Sequence, residues 1–336
     1  MSVSERTIHV GLLIAALAAS AWVFGRSERG APDTSASPSL IADEPRSPLA
    51  IIPPGSAFVL TADVKGLERA SLGNFLAQRL GHAGSAGKLT TLCGFDPVAR
   101  LDQLALAVPS AGLDAQEHPE DFGIVASGRF TAAEIMRCAS AAIAERGGEA
   151  VRTKLGSFST VRDRKTSGEV AAKDGGTLIV SGGSYFRELL DAAEGRALER
   201  ADARDARHAE LRRSLGPGPI VATWLLGEGW FERVSGGETN ARLSPLRALK
   251  AVGARVDVAS DVRLLVLLEC TDSASAGQIA TLLGELRSSL DALPLDPALS
   301  GMAKRVSVSQ TGARLKLGLG LEQSELTPLL SLLLGP

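Results

Sequence analysis

Apolar positions recur along the chain in two alternating rhythms. Period-two runs that read as strands are interleaved with three-to-four-residue periods that read as amphipathic helices, beginning at "SAFVLTAD". The pattern predicts a strand over 56–63, a helix over 66–80, a short helical piece over 86–93, and strands over 103–109 and 121–129. A helix over 131–146 follows, then four hairpin strands between 149 and 182 and a helix over 184–195. After a polar helical stretch from 206 to 215 come a strand over 219–226, a helix over 228–235, and strands over 252–259 and 262–271. A helix over 273–291, strands over 304–310 and 313–321, and a helix over 323–334 complete the series.

In "RVSVSQTGARLKLGLGLE", a two-residue Thr311-Gly312 turn sets Val306 and Val308 opposite Leu317 and Leu315, and Ser307 and Ser309 opposite Lys316 and Arg314. One face of that hairpin is apolar and the other polar, as a sheet with a solvated side requires. "KDGGT" supplies turn chemistry at Asp174-Gly175. Hairpins alternating with helices predict an α+β fold of antiparallel sheets with helices on one face. The openings "PGSAFVLTADVKGLERAS" from Pro54 and "PGPIVATWLLGEGWFERVS" from Pro217 are alike. With the shared element order they predict an internal duplication of a β-α-β-β-α-β-β-α unit, the first repeat over 53–200 and the second over 201–336.

Ahead of the repeats stands "IHVGLLIAALAASAWVFG", residues 8–25, an 18-residue apolar run. At 1.5 Å per residue it reaches about 27 Å, enough for a hydrocarbon core. Ala19-Ser20-Ala21 would serve as a signal-peptide cleavage site, while the apolar residues continuing through Trp22, Val23 and Phe24 favour an uncleaved anchor. The expected layout is a cytoplasmic stub over 1–7, a transmembrane anchor or signal peptide over 8–25 and a flexible tether over 26–52, rich in Pro, Ser and Ala. That places the chain in the inner membrane as a single-pass protein with its C-terminal domain in the periplasm; cleavage would leave it free there. The C-terminal "LTPLLSLLLGP" has 11 residues, too short to span, and is expected to cap the second sheet.

Cys93, in "TLCGFDP", and Cys138, in the helix "TAAEIMRCASAAIAERGG", are candidates for a disulfide closing a loop of about 46 residues. The alternative is two small buried hydrophobes. Cys270, in "VRLLVLLEC", is expected as a free buried thiol.

A chain of 336 residues with 45% hydrophobic composition is long enough to bury a sizeable core. Its formal net charge of -2 and 4% aromatic content leave neither a positive field nor stacking platforms for nucleic acid, which is not an expected partner. "GHAGSAGKLT" is no phosphate loop, since His82 stands at the first required glycine and Leu89 where Ser or Thr would hold magnesium. Ser85 and Lys88 form an S-x-x-K tetrad without its companions, because "KTSG" has Ser167 where a glycine is needed. His9, His82, His118 and His208 are scattered, and Asp202, Asp205 and His208 read as a solvated, salt-bridged helix face. No catalytic residue, metal ligand or cofactor is therefore expected.

Two stretches are candidates for binding. In "EAVRTKLGSFSTVRDRK", a three-residue loop over 156–158 would set Arg152 opposite Arg162, with Lys154 and Arg164 on the same face. Opposed like charges are destabilising, so this cluster suits an anionic partner, a lipid head group or an acidic protein; the plain alternative is arginines splayed into water. In "TWLLGEGWFERV", Trp230 and Phe231 are the candidate interaction anchor and Trp224 a core residue.

The "CGFDP" segment between a helix and a strand pair, with the Cys138 helix, resembles exported single-pass proteins of GC-rich bacteria, and 28 arginines against 8 lysines agree. The resemblance implies no activity. The expectation is a membrane-tethered extracytoplasmic binding or scaffold protein of the bacterial envelope, held through residues 8–25 and partnered by an envelope protein or anionic lipid. The alternatives are an envelope hydrolase with an unadvertised site and a lipid or small-molecule carrier.

Overall fold

The computed structural model describes residues 47–70, 90–109, 121–166, 168–196, 203–235, 241–291 and 305–322, with Gly301 and Glu325. The apolar run 8–25, the tether as far as residue 46, and the expected helices over 66–80 and 323–334, apart from 66–70 and Glu325, lie outside them. Among the described residues no helix is long and apolar enough to cross a membrane.

The fold is α+β, with helices packed on antiparallel strands. It divides into two compact units, one formed by the chain through Ser56 with Thr61–Asp202, the other by Ala57–Leu60 with Ala203–Pro336.

The first unit contains helix α1 (Pro48–Ile51), the two ends of strand β1 (Ser56–Asp63, whose Ala57–Leu60 belongs to the second unit), α2 (Val64–Arg69), β2 (Leu101–Pro109), β3 (Gly123–Gly128) and α3 (Ala132–Glu145). Strands β4 (Ala150–Leu155), β5 (Phe158–Asp163), β6 (Glu169–Lys173) and β7 (Thr177–Ser181) and helix α4 (Tyr185–Ala193) complete it. The strands lie in the order β1-β2-β3-β7-β6-β5-β4. From β2 to β4 each neighbouring pair is antiparallel. Helix α1 falls inside the stretch expected as tether, and its Ile51 is buried in the core, so the folded part begins earlier than Pro53.

Helices cover both faces of this sheet, not one. On α4, Tyr185, Phe186, Leu189 and Leu190 pack on Val125, Phe158, Ala171 and Ile179. A side chain at Gly123 would meet Leu189 Cδ1 at 2.5 Å, so α4 approaches β3 that closely only over a glycine. Successive strand residues face opposite ways, so Val161, next to the α4-facing Thr160, points to the other side. Arg152 is its cross-strand partner, and Arg152 Nε donates to Ser140 Oγ of α3 at 3.0 Å.

The second unit contains α5 (Ala203–Leu215), β8 (Ile220–Leu225), α6 (Trp230–Ser235), a 3-10 helix (Ala241–Ala248), β9 (Leu249–Val258), β10 (Asp261–Cys270), α7 (Ser273–Asp291), β11 (Ser307–Thr311) and β12 (Arg314–Glu322). Its own strands run β11-β12-β10-β9-β8. Here too both faces are covered. Leu211 and Leu215 of α5 pack on Val221, Leu225, Ala251 and Leu267, while Ala276 and Ile279 of α7 pack with Leu249, Cys270 and Leu315. Leu267 and its neighbour Leu268 face these opposite helices because consecutive strand residues alternate.

Both sequence-read hairpin registers are shifted. The β11–β12 turn is Gly312-Ala313, so Val308 lies opposite Leu317 and Ser309 opposite Lys316, two positions from the expected pairing. A shift of two keeps each side chain on its face. The β4–β5 turn is Gly156-Ser157, closed by Leu155 opposite Phe158, and this slip of one changes which side chains share a face.

Candidate functional site

The chemistry-bearing part of the first unit is the segment from Thr90 to Arg100. A helical turn ends at Gly94, whose φ of +74° favours glycine and whose N–H donates to Thr90 O at 2.9 Å. Cys93, one residue earlier, forms the disulfide with Cys138 of α3, as the cysteine spacing suggested. Asp96 then folds the chain back, its Oδ1 accepting from Val98 N at 2.9 Å and Ala99 N at 3.2 Å. Arg100 lies 4.6 Å over the Phe95 ring and donates to Glu134 Oε1 at 2.8 Å.

Glu134 belongs to the capping box of α3. Its Oε2 accepts from Thr131 N at 2.8 Å, and its own N–H donates to Thr131 Oγ1 at 3.2 Å. The Thr131 N–H first, then the Arg100 guanidinium and the Thr131 hydroxyl, hold its carboxyl down at about 2. Asp174 Oδ1 accepts from Ala132 N at 2.9 Å, giving the helix a second N-terminal acceptor. "CGFDP" is thus a clasp that ties α3 to the start of β2 by a covalent bond, a stacked cation and a salt bridge.

The four cations expected to gather do not share one face. Arg152 and Lys154 point with Val161 and Ser159 toward α3, whereas Arg162 points with Val151 to the other side. Arg152 also donates to Met136 O at 3.3 Å, and Arg164 is paired with Glu149. The two-residue turn, one shorter than the sequence pattern suggested, is the reason.

Trp230 and Phe231 are inward-facing. The Trp230 indole N–H donates to Leu249 O at 3.2 Å and its ring packs on the α7-side core. Phe231 is buried, edge-on to Trp230 at 5.7 Å, with Arg247 over its ring at 5.2 Å. His208, expected on a solvated face, is 6% exposed and its Nδ1 lies 2.7 Å from Thr223 Oγ1.

Sequence reasoning missed a charged lattice on the α5 side of the second unit. Arg207 donates to Glu269 on β10, and Arg314 on β12 donates to Glu210 and sits 3.6 Å from Glu269 Oε2. Arg314 holds the Glu210 carboxyl below the usual range. One signal was legible: Glu269 is the lone acid after the apolar run "LLVLL", where a carboxylate needs partners. In the first unit, burial raises the Glu68 pKa, opposed by Arg129 and supported by Asp96 and Asp102.

No family model and no curated protein matches the chain. Among solved structures, crystal form III of TP0453 superposes with a TM-score of 0.50 at 13% identity, covering 85% of this chain and 98% of that one. Crystal form IV of TP0453 gives 0.50 and 13%, over 85% and 96%. At this identity the likeness is one of fold.

Among the described residues no three His, Cys, Asp or Glu side chains come together in a way that could hold a metal ion. Cys270 is buried, and burial, followed by Asp272 and Glu269, pushes its thiol pKa up, which disfavours the reactive thiolate. What the geometry builds is cross-bracing: a disulfide clasp in the first unit and a lattice of ion pairs in the second.

Proposed function

We propose that the chain is a membrane-tethered extracytoplasmic binding or scaffold protein of the bacterial envelope, held through residues 8–25 and without catalytic chemistry of its own. The Cys93–Cys138 disulfide carries this reading, because such bonds persist in oxidising compartments and are rare in the cytosol of mesophiles. The partner class is another envelope protein.

The two strand orders support the duplication. In the first unit β1-β2-β3 is followed by β7 and β6; in the second β8-β9-β10 is followed by β12 and β11. In each, the last hairpin folds back so that its final strand lies beside the third. On this reading β4 and β5 are an extra hairpin of the first repeat.

The test is thiol labelling of intact cells with a membrane-impermeant reagent, before and after reduction, with peptide mapping. Labelling of Cys93 and Cys138 only after reduction, on a chain that retains residues 8–25, is the expected result. Labelling that needs lysis but no reductant would put the domain in the cytoplasm and remove the envelope reading.

A further inference from the structure

Every residue of β11 is exposed, Val308 at 39%, and the strand ends its unit's sheet order. Its outward backbone groups can be assigned. Cys270 N donates to Ala313 O, so Ala313 and Leu315 bond toward β10, and by alternation Arg314, Lys316 and Gly318 bond toward β11. Their partners Thr311, Ser309 and Ser307 are satisfied. The N–H and C=O of Val308 and Gln310 therefore point away from β12, with no bonding partner among the described residues.

The strand carries none of the devices that normally blunt an edge. It reads Ser-Val-Ser-Gln-Thr, without charge or proline, whereas β4, at the end of the first unit's order, displays Arg152 and Lys154. Two cations lie beside it. Lys316 shares a face with Ser309 and is exposed, and Arg287 reaches from α7 to donate to Val306 O at 3.4 Å, just before the strand. Neither cation has a carboxylate partner among the described residues, while nearby Asp272 is bonded to Thr271 and Ser275.

We infer that β11 is an augmentation edge, which takes an extended strand bearing acidic side chains from another envelope protein. The backbone of Val308 and Gln310 supplies the ladder, and Lys316 on one face of the edge and Arg287 on the α7 face each select for negative charge. This rests on the binding-module reading and gives it a partner class.

The test measures binding of a fluorescein-labelled Thr-Val-Glu-Val-Glu-Val-Thr peptide, and of its Lys-for-Glu counterpart, to the detergent-solubilised full chain. Two variants accompany the wild type. Val308→Pro removes an outward N–H, a place where an edge strand tolerates proline. Ser309→Glu leaves the backbone unchanged and sets a like charge beside the incoming strand. Saturable binding of the Glu peptide is expected, weaker at high salt, preferred over the Lys peptide, and weakened at least about tenfold in either variant with an unshifted thermal melt.

If Val308→Pro shifts the melt, Ser309→Glu alone decides. No binding, or equal binding by both peptides or by Ser309→Glu, overturns the inference. So does a concentration-dependent dimer in sedimentation with no peptide binding, which would make a second copy the occupant. Because binding is read in detergent, its failure is separate from that of the thiol-labelling test.

Discussion

Arg152 and Arg162 point to opposite faces of the β4–β5 hairpin, Arg152 being paired with Val161 and Arg162 with Val151. The register predicts where cysteines will bridge. Lys154 and Ser159 form a pair without mutual backbone hydrogen bonds, at a Cα separation of about 4.5 Å, within disulfide range. Lys154→Cys with Ser159→Cys should oxidise spontaneously, as seen by a non-reducing gel shift after proteolysis. Lys154→Cys with Thr160→Cys, the pairing of the one-residue-longer loop, should not.

The clasp on α3 should matter most when it is cut. The loop between Cys93 and Cys138 spans 45 positions, for which chain-entropy reasoning gives about 4 kcal/mol. Replacing both cysteines by serine should lower the urea midpoint of the first unit accordingly, and reductant should then have no further effect. An unchanged midpoint would mean that the Arg100–Glu134 contact and the capping box suffice.

Glu134 makes a signed prediction about pH. Its carboxyl, ordinarily near 4.5, is held at about 2 by Thr131 and Arg100, so the folded state favours the ionised form. The resulting stability is fully present above pH 4.5 and is lost as pH falls toward 2. Glu134→Gln keeps a capping-box side chain but not the charge. Its urea midpoint should lie below that of the wild type at pH 7 and converge on it near pH 2.

Much of this architecture was legible as periodicity and little of it as geometry. The strand over 56–63 and the helix over 273–291 stand where the pattern placed them, because both are long and regular. Hairpin registers were not legible: a run such as "KLGSFST" fixes two strands but leaves a two- or three-residue turn open. Helix placement failed for a different reason. An amphipathic helix has one apolar stripe whichever side of a sheet it covers; what marks two covered faces is the unbroken "LLVLL" of β10. The inward turn of Trp230 depends on Leu249, 19 residues away, and no local pattern announces it.

Glu269 should be the most sensitive charge in the second unit. It takes Arg207 and Arg314 on one mostly buried carboxylate, so Glu269→Ala removes the counter-charge of Arg207, while Arg314 keeps Glu210. A loss of about 1 to 2 kcal/mol is expected from chemical denaturation, less than for a fully buried pair because both guanidiniums are more than a third exposed. Arg207→Ala combined with Glu269→Ala should cost less than the sum of the two single changes.

Thr223→Val tests the buried polar chain beneath α5. The Thr223 hydroxyl meets His208 Nδ1 at 2.7 Å and donates to Val59 O at 3.4 Å, and valine keeps the shape while removing both contacts. A loss of about 1 to 2 kcal/mol is expected, with near-ultraviolet circular dichroism unchanged.

That carbonyl belongs to a stretch of β1, Ala57–Leu60, which is compact with residues 203–336 and not with the chain around it. Thr223 follows Val59 by 164 positions, so at ribosomal speeds of about 5–20 residues per second the stretch is made roughly 8 to 30 s before its partners. During that interval Ala57, Val59 and Leu60, all buried in the finished protein, are exposed to whatever meets a nascent or exported chain. A clone begun at Ala203 never receives them, so neither half can be excised at the chain boundary and remain whole.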